Sequence, residues 1–286
     1  MSDRAVVVEV GPRDGLQNEP RIVAVDDKVR LIDLLSATGL TRIEAASFVN
    51  PARVPQMADG AGVMARIARP AGVEFSALTP NLTGYARAKA AGMTAVAVFA
   101  SASEGFSRAN LNCSIPESMD RFRGVSEAAL AEQVKVRGYV SCVIHCPFDG
   151  PVAPAAVARV AEALAALGCH EISLGDTIGR GTPATIGAML DAVLAVLPAP
   201  RLAAHFHDTG GRALANVRVA LDKGLRVFDT SVAGLGGCPF APGAPGNVAT
   251  ETVADLLAAE GLATGIDAAR LAKAAAFARS LRSGHE

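Results

Sequence analysis

The sequence predicts a closed (β/α)8 barrel of the TIM-barrel class with an extra C-terminal helix, on three observations. Eight short β-rich runs alternate with longer stretches of helical period. Glycines stand at the ends of helical stretches, just before the next strand. No GxGxxG follows the first strand candidate, which disfavours the doubly wound open sheet, the alternative for a chain of this rhythm.

The strand candidates are 5–10, 42–46, 73–78, 95–100, 136–144, 171–174, 201–206 and 226–232. A strand, helix, strand order requires parallel pairing with crossover helices, and eight such units close on themselves. Between the fifth and sixth candidates, Val157, Val160, Ala161, Leu164 and Leu167 form one apolar stripe of a helix over 154–167, which Gly168 stops. Gly39, Gly92 and Gly224 are expected to stop other helices in the same way. The chain after Asn247 reads as the eighth helix and 267–282 as an additional one, so that one catalytic domain is expected over 1–286, with a helical extension over 264–286.

Composition narrows the function. The 286 residues carry a formal net charge of -1, which offers no basic face for nucleic acid or an anionic membrane. The apolar stretches are interrupted by charges too often to span a bilayer. The first strand candidate starts so near Met1 that no targeting peptide is expected ahead of it, and the cytoplasm is the expected compartment. Cys113, Cys142, Cys146, Cys169 and Cys238 are scattered without CxxC pairing, so neither a disulfide framework nor structural zinc is expected, and all but Cys238 are read as small buried hydrophobes.

In a barrel of this class, functional residues belong at the C-terminal ends of the strands or just after them. His205 and His207 end the seventh strand candidate, and their spacing of two points both imidazoles to one side. Asp14 follows the first strand and Asn247 closes a Gly/Pro-rich stretch after the eighth. Together these four make a mixed nitrogen and oxygen set that suits Mg2+ or Mn2+ with positions open for substrate. Arg13, beside Asp14, is expected to stabilise an enolate oxygen, and Asp176 or His205 to take a hydroxyl proton. Glu44 lies near the end of the second strand. Cys238 sits in the loop 234–247, which reads as a lid able to deliver a thiol proton to a carbanion. Each residue alone has a plainer reading: Asp176 as a helix cap, Glu44 and Arg13 as a structural ion pair, Cys238 as incidental to the loop.

The chain resembles the 3-hydroxy-3-methylglutaryl-CoA lyase family, within the metal-dependent barrel lyases that also include isopropylmalate and homocitrate synthases. The resemblance rests on Val8-Glu9-Val10-Gly11-Pro12-Arg13-Asp14-Gly15-Leu16-Gln17-Asn18-Glu19, on Ser47-Phe48-Val49 with Val54-Pro55-Gln56-Met57, and on Leu78-Thr79-Pro80-Asn81-Leu82. It continues through Glu171-Ile172-Ser173-Leu174-Gly175-Asp176-Thr177-Ile178-Gly179, His205-Phe206-His207-Asp208-Thr209 and Ser231-Val232-Ala233-Gly234-Leu235-Gly236-Gly237-Cys238-Pro239. The resemblance implies Asp14, His205, His207 and Asn247 as ligands of Mg2+ or Mn2+, Arg13 as the enolate-stabilising group, Glu44 and Asp176 as site carboxylates, Cys238 as the lid thiol, and Arg13 with Gln17 as substrate contacts. It further implies cleavage of an acyl-CoA thioester, 3-hydroxy-3-methylglutaryl-CoA, to acetyl-CoA and acetoacetate, chemistry of leucine degradation and ketone-body type, in a homodimer.

Pro20, Gly210 and the proline-rich lid depart from familiar members, and the resemblance implies that they bear on substrate and acyl-CoA contacts more than on the metal chemistry. A lyase acting on another 3-hydroxyacyl-CoA is therefore one alternative. An isopropylmalate-synthase-like condensing enzyme is a second, and a non-enzymatic binding barrel a third.

Overall fold

The computed structural model describes residues 3–237 and 246–283. Eight parallel strands close into a barrel: β1 (Val6–Glu9), β2 (Arg42–Ser47), β3 (Glu74–Leu78), β4 (Ala95–Ser101), β5 (Lys135–Ser141), β6 (Glu171–Asp176), β7 (Leu202–Phe206) and β8 (Val227–Thr230). Each strand pairs with its neighbours in sequence, and β1 pairs with β8 to shut the ring. The predicted architecture is therefore the observed one.

The helices around it are α1 (Val25–Ser36), α2 (Gly60–Met64), α3 (Leu82–Ala90), α4 (Glu104–Leu111), α5 (Ile115–Ala131), α6 (Pro154–Ala166), α7 (Pro183–Leu194), α8 (Ala213–Asp222), α9 (Thr250–Ala259) and α10 (Ala268–Ser283). Local chemistry sets their starts. Ser114 and Glu117 form a reciprocal capping box at α5, Thr182 and Thr185 do the same at α7, and Pro154 opens α6 where its missing N–H costs nothing. The stripe expected on α6 is buried at Val157, Val160, Ala161 and Leu164, against β5 and β6. Most of the apolar core lies in this shell between strands and helices.

Two strand ends and one register differ from the sequence reading. The fifth strand stops at Ser141 rather than 144, because Cys142 takes a left-handed φ of 60° and the chain turns into a short hairpin, His145–Cys146 against Gly150–Pro151. The eighth strand ends at Thr230 because the chain then turns through Val232–Gly234 in a 3-10 turn. β2 carries a register shift between Glu44 and Ala46, a bulge that alternation alone does not reveal. α10 starts at Ala268 with the Asp267 carboxylate accepting from Arg270 N (3.0 Å), and it packs on α1 and on the turn after β8.

The four glycine stops all adopt positive φ. At Gly39 the constraint is steric as well, since a Cβ there would lie 2.1 Å from the Gly265 carbonyl oxygen at φ 92°. Gly39→Ala is therefore expected to cost about 1–3 kcal/mol of stability. Gly62→Ala, inside α2 with open space at its Cβ, is expected to be neutral or stabilising by about 0.5–1 kcal/mol. Urea unfolding of both variants checks this, and equal stabilities would contradict it.

Candidate active site

The C-terminal ends of the strands converge on a cavity of about 1040 Å³ whose wall includes Arg13, Asp14, Gln17, Tyr139, His205 and His207. Arg13 and Asp14 stand on a single π-helical turn, Gly11–Gly15, whose amides at Arg13, Asp14 and Gly15 all converge on the Val10 carbonyl. This turn, unforeseen from the sequence, packs tightly against the loop after β8. A Cβ on Gly15 would lie 2.7 Å from Leu235 Cβ, so glycine is what lets the two segments meet.

Asp14, His205 and His207 each place a possible ligand atom within 4.8 Å of the other two. The two imidazole rings are 5.4 Å apart, and His205 Nε2 is 3.8 Å from Asp14 Oδ2. Asn247 is brought in by its backbone bridge to His207, and its Nδ2 donates to Asp14 Oδ2 (2.9 Å) and to the Leu235 carbonyl (3.3 Å). The amide nitrogen thus faces the cluster, and ligation through the oxygen requires that amide to turn over.

Do these residues fit a divalent cation? His207 has a buried Nδ1 with no hydrogen-bond partner in the chain, and burial with the neighbouring His205 pushes its pKa down to about 4 despite Asp14. It is therefore neutral at physiological pH, the form that ligates metals. Burial pushes Asp14 upward, but the Arg13 guanidinium first, with His205 and the Asn247 amide, outweighs it and holds the carboxyl at about 2, ionised throughout the working range. One carboxylate, two imidazoles and a nearby amide, with space open toward the cavity, fit a cation of mixed oxygen and nitrogen preference.

Arg13 is fixed from both sides. Its Nε donates to Glu44 Oε2 (2.6 Å) and its Nη1 to Asp14 Oδ1 (2.6 Å), while the guanidinium lies over the Tyr139 ring at 5.6 Å. Glu44 is fully buried and points inward from β2; burial raises its pKa even beside Arg13. The plainer reading of Arg13 and Glu44 as an ion pair and their placement at the site hold together, because one pair does both.

Asp176 is placed differently. It is the last residue of β6, and its two oxygens accept from the amides of Arg180 (3.2 Å) and Gly181 (2.7 Å), so the carboxylate braces the following turn instead of hydrogen-bonding to the Asp14 and histidine cluster. Gln17 is half-buried in the cavity wall. Cys238 lies outside the described residues.

Sequence reasoning missed the groups behind the histidines. Asp229 on β8 sits opposite His205 in register, its Oδ2 3.4 Å from His205 Nδ1, and accepts from Arg137 Nη2 (2.7 Å) and Ser173 Oγ (2.7 Å). Burial works against a charged His205, but Asp229 and Asp14 outweigh it and raise its pKa. Arg137 also donates to Tyr139 OH (2.8 Å), and that hydroxyl donates to Glu44 Oε2 (3.2 Å). The available signal was period two: Arg137 with Tyr139 and Glu171 with Ser173 place polar groups on one face of otherwise apolar strands.

The HMGL-like family model matches residues 4–278. The chain belongs to the HMGL-like family. It is similar to the 3-hydroxy-3-isohexenylglutaryl-CoA/hydroxy-methylglutaryl-CoA lyase of Pseudomonas aeruginosa, with 56% identity over 261 residues, covering 91% of this chain and 87% of the relative. Among solved structures it is similar to the HMG-CoA lyase of Brucella melitensis, at 59% identity and a TM-score of 0.98, covering 99% of this chain and 100% of the other. It is also similar to an HMG-CoA lyase from Acinetobacter, solved in complex with coenzyme A and 3-methylmalate, at 38% identity and a TM-score of 0.93 over 99% and 92% of the two chains. The backbone that carries this cluster is thus closely similar to that of both solved structures.

Because the carboxylate behind His205 orients its ring, Asp229→Asn is expected to weaken Mn2+ binding about 10–100-fold. Isothermal titration of the variant and the parent measures this, and equal affinities would remove Asp229 from the account.

Proposed function

We propose that the chain is a divalent-metal-dependent carbon–carbon lyase that splits 3-hydroxy-3-methylglutaryl-CoA into acetyl-CoA and acetoacetate. The observation that carries this reading is the cluster of Asp14, His205 and His207 at the barrel mouth, with the Arg13 guanidinium beside it. A cation held there, Mg2+ or Mn2+ by the donor set, supplies Lewis acidity toward substrate oxygens.

The residues divide the remaining work. The His205 and Asp229 pair is assigned as the acceptor of the tertiary hydroxyl proton; the bond between C2 and C3 then breaks, C3 becomes the ketone of acetoacetate, and the electron pair moves into the thioester enolate. Arg13 keeps its charge at any working pH and is assigned to that enolate oxygen, held rigid by Glu44 so that little reorganisation is needed. Cys238 is assigned as the acid that protonates C2, which completes acetyl-CoA. Asp176 keeps a secondary part, holding the turn over the cavity through its two amide bonds. Gln17 is assigned to substrate contact on its place in the wall.

A larger substituent at C3 is the second reading, a lyase for a different 3-hydroxyacyl-CoA. It is favoured by the cavity, whose wall includes Leu78, Phe99 and Phe106, and by the double name of the Pseudomonas relative. No helix among the described residues is long and apolar enough to cross a membrane. The cytoplasm fits Cys113, Cys142, Cys146 and Cys169, all unpaired and buried. A homodimer is proposed from the resemblance alone.

Assayed with Mg2+ or Mn2+, the protein is expected to release acetoacetate from 3-hydroxy-3-methylglutaryl-CoA, and chelation should abolish the release. Cys238→Ser is expected to lower turnover by about 10²–10⁴-fold with metal binding intact. Turnover only with a longer-branched thioester would select the second reading. Full activity after exhaustive chelation would overturn the metal-dependent reaction.

A further inference from the structure

Glu9 ends β1 below the π-helical turn, is 0% exposed, and makes no ion pair with a cation among the described residues. Its carboxylate joins three separate stretches of chain. Oε1 accepts from the amide of Gly11 (2.7 Å), where the turn bearing Arg13 and Asp14 begins, and from the amide of Val232 (2.9 Å), where the glycine-rich loop after β8 begins. Oε2 accepts from Thr250 Oγ1 (2.6 Å), the first residue of α9 and three positions beyond Asn247. The fit is close on the amide side, since a Cβ on Gly11 would lie 2.6 Å from Glu9 Oε1.

We propose that Glu9 is a positioning residue for the lyase reaction: its ionised carboxylate ties the Arg13–Asp14 turn to the loop after β8 and to the Asn247 segment, and so fixes the spacing across the site. The proposal rests on the lyase reading for its kinetic consequences. A purely structural carboxylate in such surroundings would be better replaced by a neutral group, because an unpaired buried charge is costly. What the charge provides is strength in the two bonds from backbone amides, since acceptance by an ionised oxygen is roughly twice as strong as by a neutral one.

Burial pushes the Glu9 carboxyl up to about 7, against the lowering effect of Thr250, Val232 and Gly11. The charged group bearing on it is Glu251 of α9, whose own carboxylate accepts from Ala233 N (2.9 Å) and pairs with Arg279 of α10 at 3.4 Å. The sign of the linkage follows. With the folded value above the unfolded one, Glu9 contributes stability below the ordinary carboxylate range, and that contribution is lost as pH rises through about 7. Ionisation therefore tightens the site while loosening the fold, and the two effects can be read separately.

The test is Glu9→Gln, compared with the parent in kcat, KM and thermal midpoint between pH 6 and 8.5. The expected result is a KM within about threefold of the parent and a kcat about tenfold lower at pH 8, converging with the parent near pH 6. The thermal midpoint at pH 8 should be equal or higher, so that the fall in kcat is read in a protein that is fully folded. A kcat profile that tracks the parent at every pH would overturn the proposal. Thr250→Val gives a second handle should the glutamine variant fail to fold: losing the Oε2 bond should move the acid limb of kcat to higher pH, and an unmoved limb also overturns it. If the parent does not cleave the thioester, the lyase reading fails, and the positioning claim is then decided by the backbone amide resonances of Gly11 and Val232. Those should titrate together near pH 7 in the parent and stay flat in Glu9→Gln; flat resonances in the parent would overturn the claim.

Discussion

A buried chain of opposite charges through the barrel interior is the constraint on which the site depends. Arg42 pairs with Glu171, Glu171 with Arg137, Arg137 with Asp229, and above them Arg13 holds Glu44 and Asp14. Tyr139 links the two halves, with the guanidiniums of Arg137 and Arg13 on its ring at 4.9 and 5.6 Å and its hydroxyl between Arg137 and Glu44. Glu171, Asp229, Glu44 and Asp14 face Arg42, Arg137 and Arg13, and His205 stands between Asp229 and Asp14; with its imidazole neutral, as ligation requires, an excess of negative charge is left at the end that opens to the cavity. In a low-dielectric interior that excess cannot be neutralised by water, and the Asp14 end is where a cation completes the balance.

The same chain explains why the reacting groups are rigid. Removing one partner from a buried pair leaves the other charge stranded, so each guanidinium and carboxylate holds its neighbour in one place. Arg13 cannot swing away without leaving the buried Glu44 to the Tyr139 hydroxyl alone among its hydrogen-bond donors, and His205 has Asp229 behind it on the adjacent strand. Preorganised charge of this kind is what stabilises an enolate as it forms. Glu9 stands outside this chain, a buried carboxylate with amides and a hydroxyl as its partners, and burial without a cation beside it pushes its carboxyl up to about 7.

Much of this was legible before the fold was known. Strand runs and glycine stops located all eight barrel strands, because parallel strands shielded on both faces read as continuous apolar runs. The spacing of His205 and His207 marked the cluster, because period two leaves little choice of direction. The rest required the third dimension. Arg137 and Asp229 are 92 positions apart and meet only because the barrel closes. The bulge in β2, the left-handed Cys142 that ends β5 early, and the π-helical turn after β1 are backbone events that side-chain patterns do not encode. Asp176 reads from the sequence as a proton acceptor or a helix cap, and the structure shows it bracing a turn, a distinction that depends on where two amides point.

The central claim is that this end of the charge chain holds one divalent cation. Anomalous diffraction from crystals grown with Mn2+ tests it most directly. The account predicts one strong peak within about 2.0–2.4 Å of an Asp14 oxygen, one nitrogen each of His205 and His207, and the Asn247 amide oxygen after it turns over. A peak elsewhere, or none at saturating Mn2+, would contradict it.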